Sequence, residues 1–342
     1  MRRTARALAL LGLTASALQP AGQALAQAPA PGDPRAQLRP AFDRAVKGKT
    51  VAWVPLTLST TIGMIWTKVM RDNFERYGVN FVVRDPNFSP DAQLQAVNAV
   101  INERPDVLIV QNANVSVLAR PLKRAMEAGI PVIQVNMMSN TATDAYVGVD
   151  NVDLGRKVAQ DIVRQCGGGR SSGKVALVQG EATAAASLEQ LQGAMEVFEG
   201  EPSIKVVSSQ AANWDSNRAN AITATVLQQH PDLCATYGFW GTMQQGAAQA
   251  VKAAGLQGKV KVYATTDGPR ADCDAVEQGL FHKVLSYRSD VQGGQITDAV
   301  LTVLQNGAKP GTKQLVYLSN SYWVEGRKDR ASCFDLDPPA DR

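Results

Sequence analysis

The chain has 342 residues, 45% of them hydrophobic, and a net charge of +4. That length supports two domains, and the near balance of charge, with no basic block, gives nucleic acid nothing to bind. Four cysteines, Cys166, Cys234, Cys273 and Cys333, fit neither a CxxC redox pair nor a zinc cluster, and their three possible pairings stay open at this level.

At the N-terminus, Arg2, Arg3 and Arg6 precede the apolar run "ALALLGLTASAL", and "ALA" at 24–26 makes a small-residue cleavage site. This reads as a secretory signal peptide over 1–26, because the apolar run is too short to span a bilayer. No cysteine follows the cleavage site, which argues against a lipid anchor, and the paired arginines lack the rest of a twin-arginine pattern. "QAPAPGDP" then opens a flexible N-terminus over 27–48. Export makes disulfides possible.

From residue 50 onward, strands and helices alternate. "TVAWVPL" reads as a strand, and Ile62, Ile65, Trp66, Val69 and Phe74 place a helix over 60–77. "VNFVVRD" is a strand; the helix after it begins at Pro90 and stops before Pro105. "VLIVQN", a helix over 118–127, "IPVIQV" and "AYVGVD" complete a first unit. Right-handed crossovers turn that order into a parallel sheet with helices on both faces. After Asp150 the pattern repeats, through "KVALVQG", "IKVVSSQ", "CATYGFW", "VKVYATTDG" and "HKVLSYR" with helices between them. The fold class is α/β, with a cleft between two similar units.

In open parallel sheets, ligands bind beyond the carboxyl ends of the strands. The residues there form an unusual set: Thr57, Ser59, Thr60 and Thr61, then Asn136 and Met137, then Trp214 and Asp215, Phe239 and Trp240, Asp267 and Tyr287. Several aromatics at wet strand ends cost stability unless a ligand or partner covers them. Any one of them reads more simply as packing; together they point to a binding cleft.

The segments "VAWVPLTLSTTIGMIW", "LIVQNAN", "GIPVIQVN", "VGVDNVDLGRKVA", "NWDSNRANAITATVLQQHPDL", "YATTDG" and "VLSYRSDVQGGQ" resemble the type I periplasmic solute-binding proteins, in the ribose-binding-like branch of sugar ABC importers. The resemblance covers roughly residues 49–318. It implies two Rossmann-like lobes with parallel sheets joined by a three-stranded hinge, the periplasmic binding protein-like I fold. The lobes would comprise 49–149 plus 290–310 and 150–289 plus 311–335. It further implies a periplasmic monomer without cofactor or metal, which closes on a small molecule and docks on an ABC permease in the inner membrane.

Carried over residue by residue, the resemblance assigns ligand contacts to the loop 57–61, to Trp214 as the stacking aromatic before Asp215, and to the carboxylate of Asp267. Asn136 and Met137 stand where the sugar binders place an Asp-Arg pair. Gln190 stands near another arginine, Trp240 replaces an asparagine, and Tyr287 replaces a glutamine. These departures imply a ligand with fewer hydroxyls and more apolar surface than ribose: a deoxy-sugar, a polyol, an aromatic or a quaternary amine. On this fold Cys166 and Cys234 lie together on the side of the second lobe away from the cleft. That pairing leaves Cys273–Cys333 to pin the C-terminal tail; buried free thiols are the alternative.

Other function classes fit poorly. "GGRSSGKV" carries GxxxxGK but lacks the following Ser or Thr and precedes a strand, so it is no phosphate loop. No GxSxG elbow is present, and His230 and His282 stand at element ends as structural or surface residues. Asp272 and Asp274 read as the start of an exposed helix, where acids suit the dipole. A sensory module with the same two lobes remains open, whereas a repressor would need an N-terminal helix-turn-helix that the sequence lacks.

Overall fold

The computed structural model describes residues 35–336. The expected signal peptide lies outside the described residues. Part of the segment expected to be flexible forms α1 (Arg35–Val46). Val46 is buried, and Phe42 meets Tyr77 edge-on with centroids 5.3 Å apart. The Pro-rich run ahead of it concealed this short amphipathic turn of chain.

The first sheet takes β1 (Thr50–Val54), β2 (Asn80–Val83), β3 (Val107–Val110), β4 (Val132–Val135) and β5 (Ala145–Gly148). Helices α2 (Thr61–Tyr77), α3 (Pro90–Glu103) and α4 (Ala119–Glu127) cross between them. Local chemistry sets their ends. Thr60 and Ser89 accept hydrogen bonds from the Gly63 and Ala92 amides, Pro90 occupies the first turn of α3, and Gly78 closes α2 at a φ of 69°. β3, β4 and β5 are buried throughout, as strands covered on both faces must be.

The second sheet takes β6 (Lys174–Gln179), β7 (Lys205–Ala211), β8 (Ala235–Gly238), β9 (Lys261–Thr266) and β10 (Lys283–Ser286). Its helices are α5 (Asn151–Cys166), α6 (Ala185–Phe198), α7 (Ser216–Gln229), α8 (Gly241–Ala253) and α9 (Arg270–Glu277). After α10 (Ser289–Asn306) come β11 (Leu315–Leu318) and β12 (Tyr322–Val324). The sheet orders are β11-β5-β4-β3-β1-β2 and β12-β10-β9-β8-β6-β7, with only the β10–β12 pair antiparallel.

One expectation needs correcting. Residues 311–335 do not all join the second lobe: β11 lies parallel to β5 in the first sheet, with Leu315 opposite Ala145. Since α10 packs on the first sheet beside α2, the short link after it delivers β11 to that sheet's edge. The third crossing follows β11, and only β12 reaches the second sheet.

Helices α5 and α6 approach closely at Gly155 and Gly193. A Cβ on Gly193 would run into the Val152 carbonyl oxygen, a backbone atom of the facing helix. Gly193→Ala is therefore expected to destabilise the fold by about 1–3 kcal/mol through overpacking, seen as a lower urea midpoint at unchanged m-value. On the far side of α5, the Asp161 carboxylate meets Lys283 Nζ at 2.9 Å and Arg164 at 2.6 Å, and accepts from the Tyr263 hydroxyl at 2.8 Å.

Cys166 is disulfide-bonded to Cys234, and Cys273 to Cys333, with Cα atoms 6.0 and 6.4 Å apart. The first ties the end of α5 to the start of β8; the second ties α9 to the tail beyond β12. At sequence separations of 68 and 60 residues, each bridge should stabilise by about 4 kcal/mol in the chain-entropy account. Peptide mapping should find both pairs. Reduction should lower the melting temperature by several degrees; four free thiols in the non-reduced protein would contradict the pairing.

Candidate functional site

The carboxyl ends of both sheets point at one cleft. From the first lobe, β1 runs out into Leu56 and Thr60, β3 into Gln111, and β4 into Asn136 and Met137. Glutamine and asparagine side chains hold these exits in place. Gln93 Nε2 donates to the carbonyls of Pro55 (2.9 Å) and Gln111 (2.7 Å), and its oxygen accepts from the Ala113 amide. Asn112 Nδ2 donates to Gln134 Oε1 and to the Met137 carbonyl. Asn136 turns the chain at a φ of 59°, with the Met137 amide closing back on the Val135 carbonyl.

The second lobe contributes Ala186 and Gln190 from α6, Trp214 after β7, Phe239 and Trp240 after β8, and Tyr287 after β10. Trp214 sits at a φ of 62°, and its six-membered ring covers Gly180, where any Cβ would collide with it. Trp214 and Trp240 meet edge to face, centroids 6.3 Å apart at 80°. The Gln190 oxygen is taken by the hydroxyls of Tyr237 and Thr265 at 2.8 and 2.7 Å, and its amide donates to the Phe239 carbonyl. The lobes touch across the cleft. The Val115 amide donates to the Thr183 carbonyl at 3.1 Å, and Leu56, Ala113 and Met137 pack on Ala184, Ala185 and Ala186.

The cavity so formed encloses about 530 Å³, open solvent at its mouth included. Eight of the residues singled out in the sequence wall it: Thr60, Asn136, Met137, Gln190, Trp214, Phe239, Trp240 and Tyr287. Five do not. Thr57 and Ser59 bond to each other through their hydroxyls, 3.0 Å apart, and the Thr57 oxygen lies within reach of the Ser59 amide, so the turn keeps both off the wall. Thr61 faces a separate cavity beside Gln245 and Asp272. Asp215 caps α7 by accepting from the Arg218 amide and borders only the outer opening.

Asp267, the expected ligand carboxylate, is fully buried and accepts from Trp240 Nε1 at 2.9 Å. Nor is Asp272 on an exposed helix start: it is buried, bonded to Thr266 and Gln245. Gln111, Asn151 and Phe88 also wall the cavity, beyond the residues that the sequence pointed to. Gln111 follows a strand directly, so the strand-end rule names it. Asn151 opens α5 and donates to Glu189 and to the Asn136 carbonyl. Phe88, 42% exposed at a φ of 63°, is set by loop geometry with no signal in the sequence.

Among the described residues, none that walls the cavity carries a formal charge. Gln111 shows what its polar groups can offer: its oxygen accepts from the Leu56 amide while Nε2 has no partner among the described residues. Behind the wall, burial and then the nearby Asp272 carboxylate push Asp267 up to about 7, and burial pushes Asp272 up to about 6. Acids with raised values keep protons that the unfolded chain has lost, so their contribution to stability is full below about pH 4 and falls until about pH 7. Asp267→Asn should flatten that decline, measured by urea unfolding across this range.

The periplasmic binding protein domain family matches residues 51–309. The chain belongs to that family. This periplasmic binding protein is 31% identical over 269 residues to the D-allose-binding periplasmic protein of Escherichia coli K12, spanning 76% of this chain and 80% of that one. Its fold is shared with an Actinobacillus succinogenes ABC transporter solute-binding protein crystallised with D-allose (TM-score 0.71, 23% identity, 83% of this chain and 99% of that one). It is shared equally with the Caulobacter myo-inositol binding protein bound to myo-inositol (TM-score 0.74, 23% identity, 83% and 95%). Solute binding, not catalysis, is thus the work of this binding protein.

Proposed function

We propose that this protein is the ligand-capturing component of a sugar ABC importer, exported to the periplasm, monomeric, and paired with an inner-membrane permease. Its ligand is an uncharged sugar or polyol, less rich in hydroxyls than ribose. The observation that carries this reading is the cavity wall: Phe88, Trp214, Phe239 and Trp240 offer ring surface, while Thr60, Gln111, Asn136, Asn151 and Gln190 offer only neutral polar groups. Rings take the CH face of a saccharide and side-chain amides take its hydroxyls. A quaternary amine loses support, because the carboxylate that would face it is buried behind Trp240. The allose-binding relative supports a sugar.

Capture proceeds by closure. The chain passes between lobes after β5, after β10 and after β11, and Tyr287 at the second passage also walls the cavity. A ligand touching both lobes favours the closed arrangement by its difference in affinity for the two states. A thermal-shift screen of neutral sugars, deoxy-sugars, polyols, sugar acids and quaternary amines tests the reading. A neutral sugar or polyol at about 100 times its Kd should stabilise by about 2.7 kcal/mol; a shift only with charged compounds would overturn it.

A further inference from the structure

Asp267 follows β9 on the side of the cleft, yet none of its surface is accessible and it does not wall the cavity. One carboxyl oxygen accepts from the Trp240 indole, and the other has no hydrogen-bond partner among the described residues. Trp240 itself lies between: its ring walls the cavity, leans on Trp214, and packs with Val178, Ala212, Ala219 and Met243. The charged and titratable groups facing Asp267 are Asp272 from α9 and Tyr287 after β10, besides the Trp240 indole at the start of α8.

We infer that Trp240 is a specificity-determining residue that seals Asp267 off from the ligand, so that the cleft accepts a ring edge without hydroxyls at that corner. An open carboxylate has two acceptor oxygens and selects for hydroxyls, preferably a neighbouring pair. With its carboxylate closed behind an indole, the same corner presents an apolar ring and no acceptor. A hydroxyl placed there loses its water and gains no partner, which penalises fully hydroxylated sugars against deoxygenated ones. Asp267 becomes a positioning residue that acts through Trp240: it orients the indole by its N–H. The inference rests on the reading of the ligand as an uncharged saccharide, but the seal itself can be tested without any ligand.

The ligand-free test compares urea unfolding from about pH 5 to pH 8 for the native protein, Trp240→Ala and Trp240→Phe. Trp240→Ala lets water reach Asp267 and should lose most of the decline in stability with rising pH. Trp240→Phe keeps a ring over the carboxylate and should retain it, which shows that the fold tolerates change at this position. An unchanged decline in Trp240→Ala would overturn the seal.

The specificity test titrates D-glucose, D-galactose, D-fucose and L-rhamnose calorimetrically into the same three proteins. Trp240→Ala should gain at least tenfold for the fully hydroxylated hexoses relative to the two deoxy-sugars. An unchanged ratio would overturn the specificity role even if the pH result stands. If none of the four sugars binds any of the proteins, the specificity role is overturned while the pH result still decides the seal; the saccharide reading fails only if the wider screen of neutral sugars and polyols is silent as well.

Discussion

Trp214→Ala is expected to abolish most ligand affinity and leave the fold standing. The indole is half-buried at the mouth of the cavity, held by Gly180 on one side and Trp240 on another, and it packs on the edge of two small hydrophobic clusters rather than inside either. Its removal takes away the more exposed of the two indoles that a saccharide face can lie against. Truncation of such an aromatic anchor costs about 2–4 kcal/mol, roughly 30- to 700-fold in Kd. Gly180→Ala should produce a similar loss by another route, since the new methyl group must displace the ring. Calorimetric titration of the variants against the best ligand of the native protein measures both. A loss of affinity accompanied by an unchanged urea midpoint separates a role in binding from one in folding.

Among substitutions outside the disulfides, the largest loss of stability should come from Asp161→Ala. Asp161 is buried on α5 and ties that helix to β10 through Lys283 and to β9 through Tyr263. Lys283 also bridges to Glu325 just beyond β12 and lies over the Trp323 ring at 4.9 Å. Removing the carboxylate leaves a largely buried ammonium with a weakened partner set, a change that costs about 3–5 kcal/mol. Burial by itself would raise the Asp161 pKa; hydrogen bonds from Lys283, Tyr263 and Arg164 outweigh it and hold the carboxyl below its ordinary value. A lowered acid stabilises above its unfolded value and loses that contribution as pH falls through the folded one. Native protein should therefore weaken in acid, below about pH 4, and Asp161→Ala should show less of that weakening.

The strand ends were legible because parallel α/β sheets bring them to one side regardless of detail. Asn136, Trp214, Phe239, Trp240 and Tyr287 needed only the alternation of strands and helices to be placed. The failures share a different cause. Asp267 has the position of a ligand carboxylate, and only the direction taken by the neighbouring indole removes it from the cleft. Thr57 and Ser59 have the right chemistry in the right loop, but a turn closed between their own hydroxyls holds them off the cavity wall. The start of helix α6 at Ala185 carries no signal in the sequence, because its N-cap is Ala184, which has no side-chain oxygen to mark it. β11 was assigned to the wrong lobe because its half-exposed residues suit the edge of either sheet.

Capture of an uncharged saccharide-like solute in the aromatic cleft is tested most directly by one calorimetric titration. The native protein and Trp214→Ala are titrated side by side with neutral sugars, deoxy-sugars and polyols, and with a sugar acid and a quaternary amine as charged controls. Binding of at least one neutral compound, weakened roughly 30-fold or more by the substitution, is the predicted result. Tight binding confined to a charged compound, or a neutral ligand held equally well without the indole, would contradict it.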